Sequence, residues 1–215
     1  MSNDDLLDQH VVNSITIKDF VYPLKFEFKI STLANDFTAT DGNGNTLAYV
    51  RQKMFKFKEA ISVFTNDSKQ NILYKINADR WIDFNASYLF TRGEGQESVG
   101  RLGRKGAKSL LKAHYQIFDN ENEQTFSINE ENPWAKLFDA LLGEVPILGI
   151  FTGYLFNPRY VVKRLDGTEV VRISKEASFW GRRFKLDKLS DVSDDESERI
   201  LLSLMMMSLL ERRRG

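Results

Sequence analysis

The chain has 215 residues, 42% of them hydrophobic, with four prolines and no cysteine. Such a length suits one large all-β domain or two small ones, and the missing cysteine excludes disulfide frameworks, thiol nucleophiles and cysteine-ligated zinc. Thirty basic residues balance thirty acidic ones, which argues against a nucleic-acid binder that neutralises phosphates over its whole surface, although a zero sum can hide a dipole.

Residues 1–17 read as an N-terminal extension. The opening Met1-Ser-Asn-Asp-Asp-Leu6 is acidic and lacks the apolar core and cleavage site of a secretory signal, so a cytoplasmic location is expected. Beyond it the chain alternates apolar and polar residues with period two between polar turns, the pattern of short antiparallel strands. Leu24-Lys-Phe-Glu-Phe-Lys-Ile30 alternates without a break. Further strands are expected near Leu33–Ala39, Thr46–Gln52, Ala60–Thr65, Asn71–Ala78, Phe84–Phe90, Glu97–Gly103, Leu110–Phe118, Glu123–Asn129, Tyr160–Leu165, Thr168–Ser174 and Arg182–Lys188, twelve in all. Turn signals separate them at Asp41-Gly-Asn-Gly-Asn45, Asn66-Asp-Ser68, Gly93-Glu-Gly95, Asp119-Asn-Glu121 and Asp166-Gly167. Asn132-Pro-Trp134 opens a helix running to about Leu142, with Asn132 as its cap. The apolar stretch Leu141–Phe156 is broken by Gly143, Pro146, Gly149 and Gly153, so it is neither a good helix nor a membrane span. It reads either as a lid on one end of the core or as a surface that meets lipid.

The last element is a helix starting at Asp194 that is apolar on every side. Ser203 and Ser208 are the polar residues between Ile200 and Leu210, and at about 100° per residue they lie roughly 140° apart, so no side of the helix is polar. The apolar run is too short for a bilayer core needing about 20 residues and suits a helix walled in by protein. Ser193 with Glu196 reads as a capping box, acids crowd the first turn, arginines crowd the last, and Gly215 can cap the end. Twelve strands about 4.8 Å apart, tilted about 40°, close with a radius of roughly 12 Å, which leaves space for a helix but not for an empty lumen. Leu47-x-x-Val50-x-x-Lys53, Val99-x-x-Leu102-x-x-Lys105 and, less regularly, Val170-x-x-Ile173-x-Lys175 suggest a repeated hairpin unit.

The twelve-strand pattern, the segments Lys75-Ile-Asn-Ala-Asp-Arg80 and Gly103-Arg-Lys-Gly106, and the apolar C-terminal helix resemble the LURP-one-related family of the tubby C-terminal-domain-like superfamily, which also includes phospholipid scramblases. The resemblance covers roughly Lys18 to Gly215. It implies a single domain over residues 18–215: a mostly β, twelve-stranded antiparallel closed barrel around a central hydrophobic C-terminal helix. Likeness to tubby itself implies phosphoinositide binding through basic residues, without assigning any position of this chain.

Enzyme signatures are thin. His10 and His114 are far apart, with His114 expected to point to solvent beside Gln116 and Phe118. Asp79 with Asp83, or Glu130 with Glu131, are carboxylate pairs best read as solvated. No catalytic residue, metal site or cofactor is expected, and Trp81, Trp134 and Trp180 read as packing at the barrel ends, with anchors at a membrane interface as the alternative. The connectors carry more information. If the chain reverses at every strand, one rim receives Lys53, Lys56 and Lys58 interleaved with Phe55 and Phe57, Arg104, Lys105 and Lys108, the run from Lys175 to Arg183, and the terminal arginines. The other receives the acidic turns at Asp41, Asp67, Glu94, Asp119 and Asp166. The expectation is a dipolar barrel whose basic, aromatic rim meets an anionic membrane surface or phosphoinositide, or alternatively an acidic protein partner.

Overall fold

Period-two alternation becomes a closed antiparallel barrel in the computed structural model, which describes residues 20–29, 35–52, 60–79, 86–95, 97–104, 114–131, 159–176 and 183–212. The strands are β1 (Leu24–Phe28), β2 (Asn35–Thr40), β3 (Thr46–Gln52), β4 (Ala60–Phe64), β5 (Ile72–Asp79), β6 (Ala86–Arg92), β7 (Glu97–Arg104), β8 (His114–Phe118), β9 (Gln124–Glu130), β10 (Arg159–Arg164), β11 (Glu169–Glu176) and β12 (Arg183–Lys188). Each pairs with its sequence neighbours, and β1 closes on β12, so no strand edge is left open. A helix, α1 (Asp194–Arg212), follows β12. All twelve expected strands are present, with ends shifted by a few residues. The expected helix from Asn132, the stretch Leu141–Phe156, residues 1–17 with His10, Asp83, the three tryptophans and Gly215 lie outside the described residues.

Closure requires tilt, and the register supplies it. The level line Phe28, Phe37, Val50, Val63, Tyr74, Arg92 starts at the last residue of β1 and reaches the last residue of β6. Each hairpin that joins an even strand to the next odd one also carries a register shift beside its turn. The residues passed over are Leu47, Leu73, Val99 and Thr125, evenly spaced along the chain, and then Val170 after the long β9 to β10 connection. An extra residue at each of these positions sharpens the local twist, as closing a barrel demands. The repeat suspected from Leu47, Val99 and Val170 is therefore a repeated bulged hairpin.

Inside the wall, Phe26, Phe37, Val50, Ile76, Leu102, Phe126 and Val162 are fully buried, and every residue of α1 from Ile200 to Leu210 is buried with them. A fully buried Leu or Met contributes roughly 1.5–3 kcal/mol relative to exposure, so this helix supplies the barrel's central filling. The capping box forms as expected: the Ser193 amide donates to Glu196 Oε2 at 2.8 Å, and the Glu196 amide donates to Ser193 Oγ at 3.3 Å.

The helix is not centred. Its backbone comes closest to β7 and next to β8. Gly100 of β7, at φ 145°, makes the approach possible, because a Cβ there would lie 2.4 Å from the Phe118 carbonyl oxygen and 2.9 Å from Cδ of Arg199 on the helix. Across the barrel, large rings fill the wider gap. Phe26 and Phe28 of β1 meet Phe37 of β2 at ring-centre distances of 5.2 and 4.8 Å, and Phe28 meets Phe184 of β12 at 6.0 Å.

Candidate functional site

The antiparallel order sends all even-to-odd connections to one rim and all odd-to-even connections to the other. The even-to-odd rim is made of turns that hold themselves together. Asp41 accepts hydrogen bonds from the amides of Asn43 and Asn45 at 3.0 and 2.8 Å and from the Asn45 side chain at 2.9 Å. Asp119 repeats the device with the amides of Glu121 and Glu123 at 3.0 and 2.9 Å, and Asp166 accepts from the Thr168 amide at 2.8 Å. The Asn45 side chain holds the Asp41 carboxyl below its ordinary value, and the Thr168 amide does the same for Asp166.

Basic residues at the strand ends meet several of the remaining acids. Lys75 pairs with Glu94, Arg92 with Glu97 at 2.6 Å and Lys188 with Asp191 at 2.6 Å, while Lys29 reaches across the outer wall to Asp67 at 3.3 Å. The acidity expected of this rim is thus partly neutralised where it arises, because long strand side chains reach their neighbouring turns. Reading connectors alone left those strand residues out of the charge count.

The helix begins at this rim and is tied to it by carboxylates. Glu198, only 4% exposed, accepts from the Tyr74 hydroxyl at 2.5 Å and from Arg92 Nε and Nη2 at 3.0 and 2.6 Å. Glu196 accepts from Arg164 Nη1 and Nη2 at 2.5 and 3.1 Å. Burial pushes the Glu196 carboxyl up, but Arg164 and Ser193 outweigh it and leave it below the ordinary carboxylate value. Burial, then the Glu198 hydrogen bond, pushes the Tyr74 phenol far above the usual tyrosine value.

At the odd-to-even rim the helix ends on a second carboxylate. Glu211 Oε1 accepts from the Tyr115 hydroxyl at 2.6 Å, and Oε2 accepts from the Tyr160 hydroxyl at 3.0 Å. Burial, joined by the Glu211 charge, drives both phenols well above their ordinary value. Arg104 belongs to this group. It is the last residue of β7, paired with Ala86 and Tyr115, half-buried and on the same alternation as inward Leu102, and its charge opposes the upward push on Tyr115. The expected β7 stopped at Gly103, which had assigned Arg104 to the connector; one further strand residue gives it a wall position.

Lys53, Phe55, Lys56, Phe57, Lys58, Lys105 and Lys108 lie outside the described residues. The strand ends on either side of them, Gln52 and Ala60, and Arg104 and His114, belong to the odd-to-even rim. Of the carboxylates weighed for acid–base work, Asp79 pairs with Arg101 at 3.1 Å and Glu131 with Arg172 at 2.9 Å, both on the barrel wall. His114 stands on the outer face, half-buried, its Nδ1 at 2.6 Å from Asn129 Oδ1, and Phe118 on the same strand is buried rather than solvent-facing. Among the described residues, no group of three or more His, Asp or Glu side chains could hold a metal ion, and no helix is long and apolar enough to cross a membrane. Sequence reasoning missed the roles of Glu198 and Glu211. Their signal was a carboxylate bordering each end of an otherwise apolar helix run.

A helix-filled, twelve-stranded closed barrel with bulged hairpins at one rim defines the architecture. Residues 46–190 match the LURP-one-related family, and the chain belongs to that family. A protein from Arabidopsis thaliana, known from an X-ray structure, shares the fold at 13% identity and a TM-score of 0.50, over 95% of this chain and 100% of that one. Comparison with curated proteins returned no match.

Proposed function

We propose that this protein is a non-catalytic binding module that docks on anionic or phosphorylated lipid head groups through its odd-to-even rim, working in the cytoplasm and peripherally at membranes. The observation that carries the reading is the common end of three elements. β3 stops at Gln52, just before Lys53, Phe55, Lys56, Phe57 and Lys58; β7 stops at Arg104, just before Lys105 and Lys108; and α1 stops at Arg212, all at one end of the barrel. Basic residues near an anionic surface contribute about 1 kcal/mol each and aromatic rings add apolar insertion. Asp79, Glu131 and His114, three of the residues weighed for catalysis, are engaged in side-chain contacts with Arg101, Arg172 and Asn129, which favours binding over chemistry.

Vesicle pelleting tests this. Wild type should bind phosphatidylserine or phosphoinositide vesicles at low salt and lose binding as salt rises, since exposed charges are screened beyond about 8 Å at physiological ionic strength. Replacing Lys53, Lys56, Lys58, Lys105 and Lys108 together by Gln should abolish pelleting at unchanged thermal stability, whereas Glu121→Gln at the opposite rim should not weaken it. Arg104 is tested separately, because its substitution also touches the Tyr115 environment. If wild type ignores anionic vesicles even at low salt, the lipid reading fails and an acidic protein partner for the same basic rim takes its place.

A further inference from the structure

We propose that Glu198 and Glu211 act as two pins that select one rotation and one depth of α1 inside the barrel, and that the Glu211 pin thereby fixes where the end of α1 meets the odd-to-even rim. From Ile200 to Leu210 the helix is buried on all sides, so apolar burial alone favours no particular rotation. Its middle is Met205-Met206-Met207, three flexible side chains that adapt to irregular space. The two serines do not fix it to the wall either: Ser208 Oγ donates to Leu204 O of its own helix at 2.8 Å, and Ser203 Oγ is buried without a partner.

The carboxylates do reach the wall. Glu198 takes its donors from β5 and β6 through Tyr74 and Arg92, and Glu211 takes its donors from β8 and β10 through Tyr115 and Tyr160. The two glutamates are about 20 Å apart along the axis and about 140° apart around it. Turning the helix by one residue step of about 100° would withdraw both carboxylates from their donors at once and press charge against apolar wall. Glu211 also sits in the last turn, where the helix dipole disfavours an anion, so helix propensity does not explain its presence there. A polar contact that chooses register in an otherwise permissive apolar interface has a parallel in coiled coils.

The clause about the rim rests on the docking reading; the pins do not, and the experiment separates them. Tyr115→Phe/Tyr160→Phe keeps both rings and removes both hydroxyl donors. In this variant the Met205–Met207 methyl resonances should change from one set to two or more. Amide exchange over residues 209–212 should rise at least tenfold, while that over residues 199–203 stays near wild type. Adding Glu211→Leu should restore solubility and cooperative unfolding where the Phe pair lacks them, yet leave several methionine sets, since Glu198 then holds only the start of the helix and nothing fixes its far end. A single methionine set with wild-type exchange in the Phe pair, or a single set in the triple variant, overturns the proposal. Vesicle binding by the Phe pair should fall with the loss of exchange protection. Wild type that binds no vesicles ends the docking reading and leaves the spectroscopic result to decide the pins alone.

Discussion

β1 and β7 face each other across the barrel and are built from opposite kinds of side chain. β7 brings Gly100 to the helix, and β1 brings Phe26 and Phe28, backed by Phe37 and Phe184 from its neighbours. Close packing demands that the space between wall and helix be filled everywhere, and this chain fills it unevenly, with backbone on one side and aromatic rings on the other. A helix inside a barrel therefore need not lie on the axis; the sizes of the inward residues choose its place.

Breaking the β7 side should cost most. Gly100→Val places atoms against the Phe118 carbonyl and Arg199 and strains a backbone that L residues rarely adopt, so chemical denaturation should register a loss of about 5 kcal/mol. On the β1 side, Phe37→Ala should open a cavity and cost about 4 kcal/mol by the same measurement. The comparison sharpens with a double variant. Arg199→Ala in a Gly100→Ala background should recover about 1 kcal/mol, because it relieves the side-chain contact but leaves the carbonyl oxygen in place. Asp119→Ala, which only loosens one rim turn, should cost about 1 kcal/mol.

Alkali probes both helix ends together. The phenols of Tyr74, Tyr115 and Tyr160 are held neutral, their folded values raised above the ordinary 10.0. Their contribution is fully present below pH 10 and is lost as pH rises beyond it, because the unfolded chain releases those protons more readily. The unfolding midpoint should fall steeply above pH 10, and tyrosinate absorbance from these three side chains should appear only together with unfolding; a gradual titration in the folded state would contradict their burial. On the acid side the sign reverses. Asp41, Asp166 and Glu196 have lowered values, so their contribution is present at neutral pH and is lost as pH falls below the ordinary carboxylate range.

Strands, turns and the buried helix were legible because each writes a local pattern: a period of two for Leu24–Phe28, and a run apolar but for Ser203 and Ser208 for Ile200–Leu210. Capping at Ser193 and Glu196 was legible for the same reason, being a contact between residues three apart. The bulges at Leu73 and Thr125 were not, since one extra residue in a hairpin shows only when both strands are paired. Neither was the helix's offset. Gly100 and Phe37 were visible as residues, but nothing local says that they lie on opposite sides of one core. Arg104 illustrates the sensitivity: moving a strand end by a single position turned a connector charge into a neighbour of Tyr115.

The helix follows all twelve strands in the order of synthesis. A ribosome delivers all twelve strands before it delivers α1, so the wall exists as nascent chain while its lining, from Leu24 to Leu186, still lacks the residues that cover it. An apolar lining waiting for its partner is a ready target for chaperones and for self-association. Filling of the barrel therefore waits until α1 has been made, and a chain released before Asp194 would carry all twelve strands and none of the helix that fills them.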